Sequence, residues 1–302
     1  MKIATGRTDG AVQLAYEDLG PTDGEPVVLI MGFASQLTRW PDSFCARLVD
    51  AGYRVIRFDN RDIGLSTKLS GTRVGGSQLA RLARYQLGLA SPVPYTLVEM
   101  SDDVTRLLNH LSLDSVHLVG ASMGGMIAQV FAGQHPDRVR SLGIIFSTTN
   151  QAFLPPPHPA ALRALTAGPG TNPTREQVIQ HTLAAAKLFA GSAYPQPEAE
   201  LRDRIAADYD RCYYPAGLVR QFGAVTGTGS LLRWTEQITA PTAVIHGTAD
   251  PLVRPSGGKA VARAIPAARL HLIAGMGHDL PAQLEEQVTG LLIENFRQVR
   301  TG

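Results

Sequence analysis

VHLVGASMGGMIAQVFAGQHP, residues 116–136, is the stretch that decides the fold. Val116 to Val119 favours a short buried strand. Met126, Ile127, Val130 and Phe131 recur at helical spacing. Between them lies Gly120-Ala121-Ser122-Met123-Gly124, a match to G-x-S-x-G. A strand before the motif and a helix after it give the context of a nucleophile elbow. Such a turn holds its central residue in a conformation uncommon for any side chain with a Cβ. The glycines two places either side leave room for tight strand–helix packing. Ser122 is thereby lifted out of the sheet at a helix N-terminus, with the Met123 N–H free to face developing negative charge. The alternative is a glycine-rich strand-to-helix turn without chemistry.

The remaining chain extends this pattern on both sides. Val27 to Met31 is an apolar run suited to a central parallel strand, followed by a loop at 32–35. Residues 42–51 read as a short helix with Phe44, Leu48 and Val49 on one face, and Tyr53 to Phe58 as the next strand, which makes a βαβ unit. Residues 11–17, AVQLAYE, alternate with strand period and are expected to form the outer strand of an N-terminal hairpin. A helix near the site entrance is expected within 67–94, with Arg73, Arg81 and Arg84 solvated. Another runs from Thr96 to Leu111 on the face Met100, Val104, Leu107, Leu108 and Leu111.

Val139 to Phe146 reads as a further strand, and the parallel alternation then stops until Pro241. About 90 residues intervene, with prolines at 155, 156, 157 and 159 and helical patterns near 175–190, 197–211 and 215–225. That is too long for an ordinary connection within a sheet. The expected organisation is a core of 1–147 and 241–302 with a helical cap, or lid, of 148–240 over the carboxyl edge of the sheet. A purely stabilising helical subdomain is the other reading of the insertion. The chain re-enters the sheet at Thr242 to His246. A helix at 256–264, a strand at Arg269 to Ile273 and a helix at about 281–297 complete it.

Composition narrows the function. The 302 residues hold 28 Lys and Arg against 26 Asp and Glu, too balanced for a nucleic-acid footprint. Cys45 and Cys212 are too few for a disulfide framework and read as reduced, half-buried residues. No cluster has zinc-ligand spacing, no dinucleotide or phosphate-loop glycine pattern occurs, and no apolar run is long enough to span a bilayer. No cofactor, metal, nucleic acid or membrane is expected. The start, MKIATGRTDG, lacks a signal-peptide apolar stretch, so the expected location is the cytoplasm. The abundance of Ala, Gly, Pro and Arg suggests a GC-rich bacterial genome.

A serine hydroxyl needs a base, and a neutral imidazole needs a carboxylate to hold its tautomer. Ser122, Asp250 and His278 each follow a different expected strand, 128 and 28 positions apart. The carboxyl ends of parallel strands open on one edge, so the three can converge there. Of eight histidines only His278 sits in a Gly-rich loop just past a strand end, whereas His246 lies within a strand. Asp250 leads among the acids, because Ser147 to Asn150 after the 139–146 strand offers no carboxylate, and the adjacent Asp279 reads as a loop brace. The oxyanion hole needs two donors, for which the N–H groups of Phe33 and Met123 are placed. Asp59, Arg61, Asp62 and Ser66 form a charged loop, read as a buried hydrogen-bonded brace over a catalytic element.

M-G-F at 31–33, R-W-P at 39–41, F-D-N-R-D-I-G-L-S at 58–66, G-A-S-M-G-G at 120–125, G-T-A-D-P at 247–251 and G-M-G-H at 275–278 carry a resemblance. Through them nearly the whole chain resembles the α/β-hydrolase-fold serine esterases, and among them the aclacinomycin-methylesterase group of bacterial carboxylesterases. The usual oxyanion-loop histidine is replaced by Met31, a departure shared with that group. The resemblance implies an α/β fold with a mostly parallel central sheet, helices on both faces and a helical cap. It places nucleophile, acid and base on Ser122, Asp250 and His278, and the oxyanion donors on Phe33 and Met123.

The function expected is hydrolysis of a hydrophobic carboxylic ester through an acyl-enzyme, a methyl ester among the options. Trp40, Phe153, Leu154, Tyr213 and Tyr214 join Phe33 and Met123 as candidate pocket-lining residues. A lactonase or a cofactor-independent perhydrolase shares this triad, and a non-catalytic small-ligand receptor shares the scaffold. A second copy of the chain is a candidate partner.

Overall fold

The computed structural model describes residues 3–266 and 268–301. Eight strands form one sheet in the order β1-β2-β4-β3-β5-β6-β7-β8: β1 Ile3–Arg7, β2 Ala15–Leu19, β3 Glu25–Ile30, β4 Tyr53–Phe58, β5 Val116–Ala121, β6 Val139–Ile145, β7 Thr242–Gly247 and β8 Ala268–Ile273. β1 and β2 are antiparallel, as are β2 and β4, and the other pairs are parallel. The helices are α1 Asp42–Asp50, α2 Gln78–Gln86, α3 Leu97–His110, α4 Met123–Gln134, α5 Pro159–Thr166, α6 Arg175–Ala190, α7 Glu198–Arg211, α8 Pro215–Gly227, α9 Leu232–Thr235, α10 Pro255–Ala264 and α11 Ala282–Arg297.

Strand alternation decides which side chains meet which layer. Val28 and Ile30 of β3 and Leu118 of β5 point into a core shared with α3 and α4, where Val104, Leu107, Ile127 and Phe131 are buried. Val27, Leu29 and Val119 point the other way, onto Phe44 and Leu48 of α1 and Val288, Leu292 and Phe296 of α11. Each such fully buried side chain contributes about 1.5–3 kcal/mol. Local signals set the helix starts: Thr96 and Glu99 close a capping box on α3, and Thr174 and Gln177 one on α6.

Register brings the strand ends level. Ile30 pairs with Gly120, Ala121 with Ile145, Ile145 with Ile245 and Gly247 with Ile273. The loops after β3, β5, β6, β7 and β8 therefore open on one rim. α5 to α8 are inserted between β6 and β7, with a small core of their own at Ile179, Leu183, Leu201 and Ile205. Leu231, Trp234, Ile238 and Ala240, by contrast, are buried in the main core. Among the described residues no helix is long and apolar enough to cross a membrane.

Three expectations are corrected. The strand expected at 11–17 lies at Ala15–Leu19 and is an inner strand, because β1, unmarked by any pattern, takes the edge. Cys45 is fully buried rather than half-buried, since it lies on the inner face of α1 beside Phe44 and Leu48. Arg81 is buried rather than solvated, its Nε donating to Thr226 Oγ1 at 3.2 Å.

Candidate active site

Ser122 sits between the end of β5 and the start of α4 with φ 55° and ψ −118°, a strained backbone for a residue with a Cβ. Close packing holds it there. A methyl group on Gly120 would strike the backbone of Gly124, one on Gly124 would strike the Ile30 carbonyl, and one on Gly125 would strike Ser147. The turn can bend so sharply because these positions lack a Cβ. The Ser122 N–H donates to Ile145 O at 2.9 Å, and Ser147 Oγ donates to Ser122 O at 2.7 Å. Ser122 remains half-buried, so its oxygen lies at the rim rather than in the core.

His278 reaches it from the loop after β8. Its Nε2 lies 2.9 Å from Ser122 Oγ, and its Nδ1 lies 2.7 Å from Asp250 Oδ2 in the loop after β7. The network assigns Nδ1–H to the carboxylate, leaving Nε2 to accept the serine proton. Asp250 is held on its other oxygen, where Oδ1 accepts the N–H groups of Leu252 and Val253 at 2.9 Å each. Burial alone would raise the Asp250 carboxyl; attraction to His278 and hydrogen bonds from His246 and His278 outweigh it and hold the carboxyl at about 2. The arrangement can therefore pass a proton from hydroxyl to imidazole beside a carboxylate that stays ionised. The Phe146 ring packs on the His278 ring, 4.7 Å between centroids.

The loop after β3 borders the same spot. Gly32 abuts Ser122, and a Cβ there would come within 3.6 Å of Ser122 Oγ. Phe33 follows it, and Met123 occupies the first position of α4, where a backbone N–H has no partner within its own helix. Gln221 of α8 clamps this loop: its Oε1 accepts the Ala34 N–H at 3.1 Å and its Nε2 donates to Arg61 O at 2.9 Å. Phe222 packs against Phe33, 6.0 Å between ring centroids.

The inserted helices are tied to both sides of the site. The His278 N–H donates to Phe189 O at the end of α6 at 2.7 Å, and Gly277 packs so closely on Phe189 and Ala190 that a Cβ would strike their carbonyls. Tyr194 donates to Ala274 O at 3.0 Å, and Gln196 Nε2 donates to Asp279 Oδ2 at 2.7 Å. Burial raises the Asp279 carboxyl, against the opposing pull of Gln196, His278, Arg39 and Arg204. On the other side the charged loop 59–66 acts as a socket. Asp62, fully buried, pairs with Arg220 through two contacts of 2.8 Å and accepts from Tyr95 at 2.9 Å. Asp59 pairs with Arg211 at 2.8 Å and caps the Leu37 and Leu65 N–H groups, while Arg61 is bound to Asp103 by contacts of 2.6 and 2.7 Å.

Trp40, Phe153, Leu154, Tyr213 and Tyr214, chosen from sequence as pocket lining, occupy different environments. Trp40 is fully buried against Phe44 in the α1 layer, 5.3 Å between ring centroids. Phe153 is 79% exposed on the surface. Leu154 borders a small cavity with Tyr85, Pro155 and Leu252 that includes none of Ser122, Asp250 or His278. Tyr213 stacks on Tyr209 at 4.8 Å, and Tyr214 accepts from Arg220 at 3.1 Å. Aromatic identity marks a preference for burial and says nothing about which cavity or layer receives the ring. Two side chains near the site carried no sequence signal. One is Gln221. The other is His246, fully buried, whose Nε2 donates to Val253 O at 2.8 Å and lies 3.5 Å from Asp250 Oδ2. Among the described residues no group of three or more His, Cys, Asp or Glu converges to hold a metal ion.

A mostly parallel sheet covered on both faces, a strained strand-to-helix turn at its carboxyl rim and helices inserted beside that rim define an α/β hydrolase. The family model for the α/β hydrolase fold matches residues 25–283, and the chain belongs to that family. It is similar to the rhodomycin D methylesterase of Streptomyces peucetius, 27% identical over 96% of this chain and 97% of that protein. Among solved structures it resembles a thermophilic esterase from Thermogutta terrifontis, with TM-score 0.67, 25% identity and 99% of each chain covered. It shares its fold with a meta-cleavage product hydrolase from Pseudomonas fluorescens, with TM-score 0.72, 18% identity and 97% of each chain covered.

Proposed function

We propose that the protein is a serine carboxylic ester hydrolase acting on a small hydrophobic ester, with Ser122 as nucleophile, His278 as base and Asp250 as the group that orients and balances the imidazole. The observation that carries this reading is the unbroken hydrogen-bond relay from Ser122 Oγ through His278 to Asp250, at 2.9 and 2.7 Å. His278 Nε2 takes the hydroxyl proton as Ser122 Oγ bonds to the ester carbonyl carbon. The oxyanion is received by the N–H groups of Phe33 and Met123, each contributing about 3 kcal/mol in the transition state. On collapse the carbon–alkoxide bond breaks, and His278 gives its proton to the departing alcohol. Water then enters with His278 as base, and the acid and free Ser122 are released. The likeness to a rhodomycin D methylesterase favours a methyl ester among such substrates. Residues 148–240 serve as a lid, anchored through Arg211 and Arg220 to the 59–66 loop and through Phe189 to the His278 loop.

The test is turnover of a panel of methyl esters, longer esters and lactones by wild type and Ser122→Ala. The expected outcome is a loss of several orders of magnitude in the variant, with a fluorophosphonate labelling Ser122 in the wild type. Unchanged turnover would overturn the assignment. Tight ligand binding with no turnover of any ester would make the protein a receptor.

A further inference from the structure

The solvent side of α2 carries an apolar stripe, Leu79, Ala83 and Leu87 at four-residue spacing, beside the exposed Gln78 and Arg84. Polar side chains turn inward with the half-buried Leu82: Arg81 donates to Thr226 at 3.2 Å, Tyr85 to Asn150 Oδ1 at 3.0 Å and Gln86 to Leu154 O at 2.8 Å. Leu79, Ala80 and Ala83 are exposed, as is Leu87 at its C-terminal end, and Leu79 is 79% accessible. Leu65 and Leu89 on the flanking segments are exposed as well. Phe153 lies against the end of the helix, its N–H donating to Gln86 O at 3.1 Å. A left-handed backbone of φ 62° holds it where its ring meets solvent. Five of the nine exposed large hydrophobic residues among the described ones thus lie on residues 63–98 or against them. A soluble surface rarely gathers apolar side chains in this way without a partner.

Charge selects the partner. Residues 63–98 contain Lys68, Arg73, Arg81 and Arg84 and no Asp or Glu, whereas the rest of the chain has more carboxylates than basic side chains. Of these basic residues, Arg81 is buried and Lys68 Nζ is turned onto the carbonyls of Ile63 and Ser66, whereas Arg73 and Arg84 are exposed, Arg84 on the same helix as Leu79. Two copies of the chain meeting through this patch would oppose like charges across a two-fold axis. An anionic bilayer complements both features, taking the leucines and Phe153 into the boundary of headgroups and acyl chains and the arginines at the phosphates. We infer that α2, with Phe153 and the flanking leucines, docks the protein on an anionic lipid surface. The docking is independent of the reaction at Ser122.

The experiment is co-sedimentation of the full chain with phosphatidylcholine vesicles, with and without phosphatidylglycerol. The wild type is expected to bind the mixed vesicles well and pure phosphatidylcholine weakly, with binding falling as salt is raised. Leu79→Ser with Phe153→Ser should lower partitioning by about tenfold or more, and Arg73→Glu by at least about fivefold. Both positions of the double variant are exposed, so its Tm should match the wild type. Absence of binding to either vesicle, or equal binding by the double variant, would overturn the inference. So would a lipid-free dimer in sedimentation velocity that the double variant disperses, which would make the patch an interface between copies.

Discussion

At Asp250 burial and charge oppose each other, and charge prevails: the carboxyl ionises at about 2, below the ordinary carboxylate value. A folded-state value lower than the unfolded one contributes stability that is fully present above about pH 4 and is lost as pH falls through about 2. The contribution is on the order of 2 kcal/mol. Urea unfolding of the wild type at a series of acid pH values should show this loss, and Asp250→Asn should lack it. The same variant should lower ester turnover by roughly 10⁴-fold, because an amide does not stabilise the imidazolium or fix its tautomer. Cys45 illustrates the opposite balance. Burial pushes its thiol up to about 12 despite the nearby Arg57 guanidinium. A thiol reagent at about pH 8 should leave Cys45 unmodified in the native protein and reach it only on unfolding, as counted by absorbance or mass.

At the scale of elements, two turns depend on the absence of a side chain. In the β5–α4 turn a methyl on Gly124 meets the Ile30 and Met31 carbonyls, and the backbone on both sides is held by the sheet. Gly124→Ala should cost about 3 kcal/mol, measured by urea denaturation. In the β8–α11 loop a methyl on Gly277 meets the carbonyls of Phe189 and Ala190, which belong to an inserted helix rather than to the sheet. That contact can yield by displacing α6 or the His278 loop. Gly277→Ala should therefore lower kcat, by up to about 100-fold, with a smaller effect on Tm than Gly124→Ala. These glycines, and the Ser122, Asp250 and His278 positions themselves, were legible because strand, loop and helix periods are local properties of the chain. α5 and α9 were not legible, being too short to show a period, and neither was β1.

At the scale of the molecule, the inserted helices are attached by buried charge. Arg220 and Asp62 lie 158 positions apart, both nearly or fully buried, and each satisfies the other in two directions. Arg220→Met leaves the Asp62 carboxylate buried with Tyr95 as its hydroxyl donor. It should cost about 3–5 kcal/mol, read from denaturant midpoints. Replacing Asp62 by Asn in the same chain should recover part of that loss, since the charge is removed while an amide oxygen still accepts from Tyr95 or the Leu69 N–H and Asn tolerates the φ of 69°. Gln221 and Phe222 follow Arg220 on α8 and touch the loop that carries Phe33. Whatever loosens the Arg220 anchor should thus also disturb the loop that carries Phe33.

The fold class and the placement of Ser122, Asp250 and His278 just past the ends of three parallel strands were legible in the sequence alone. Each rests on periodicity, turn residues and spacing that a chain carries before it folds. Tertiary structure alone decided that Trp40 lies in the α1 core and Phe153 on the surface, that Arg81 is buried, that His246 stands beside Asp250, and that Arg211 and Arg220 hold the inserted helices to the 59–66 loop. Those outcomes depend on which distant segments pack together. The side chain of an aromatic or an arginine is compatible with several such environments, so its residue type does not select among them.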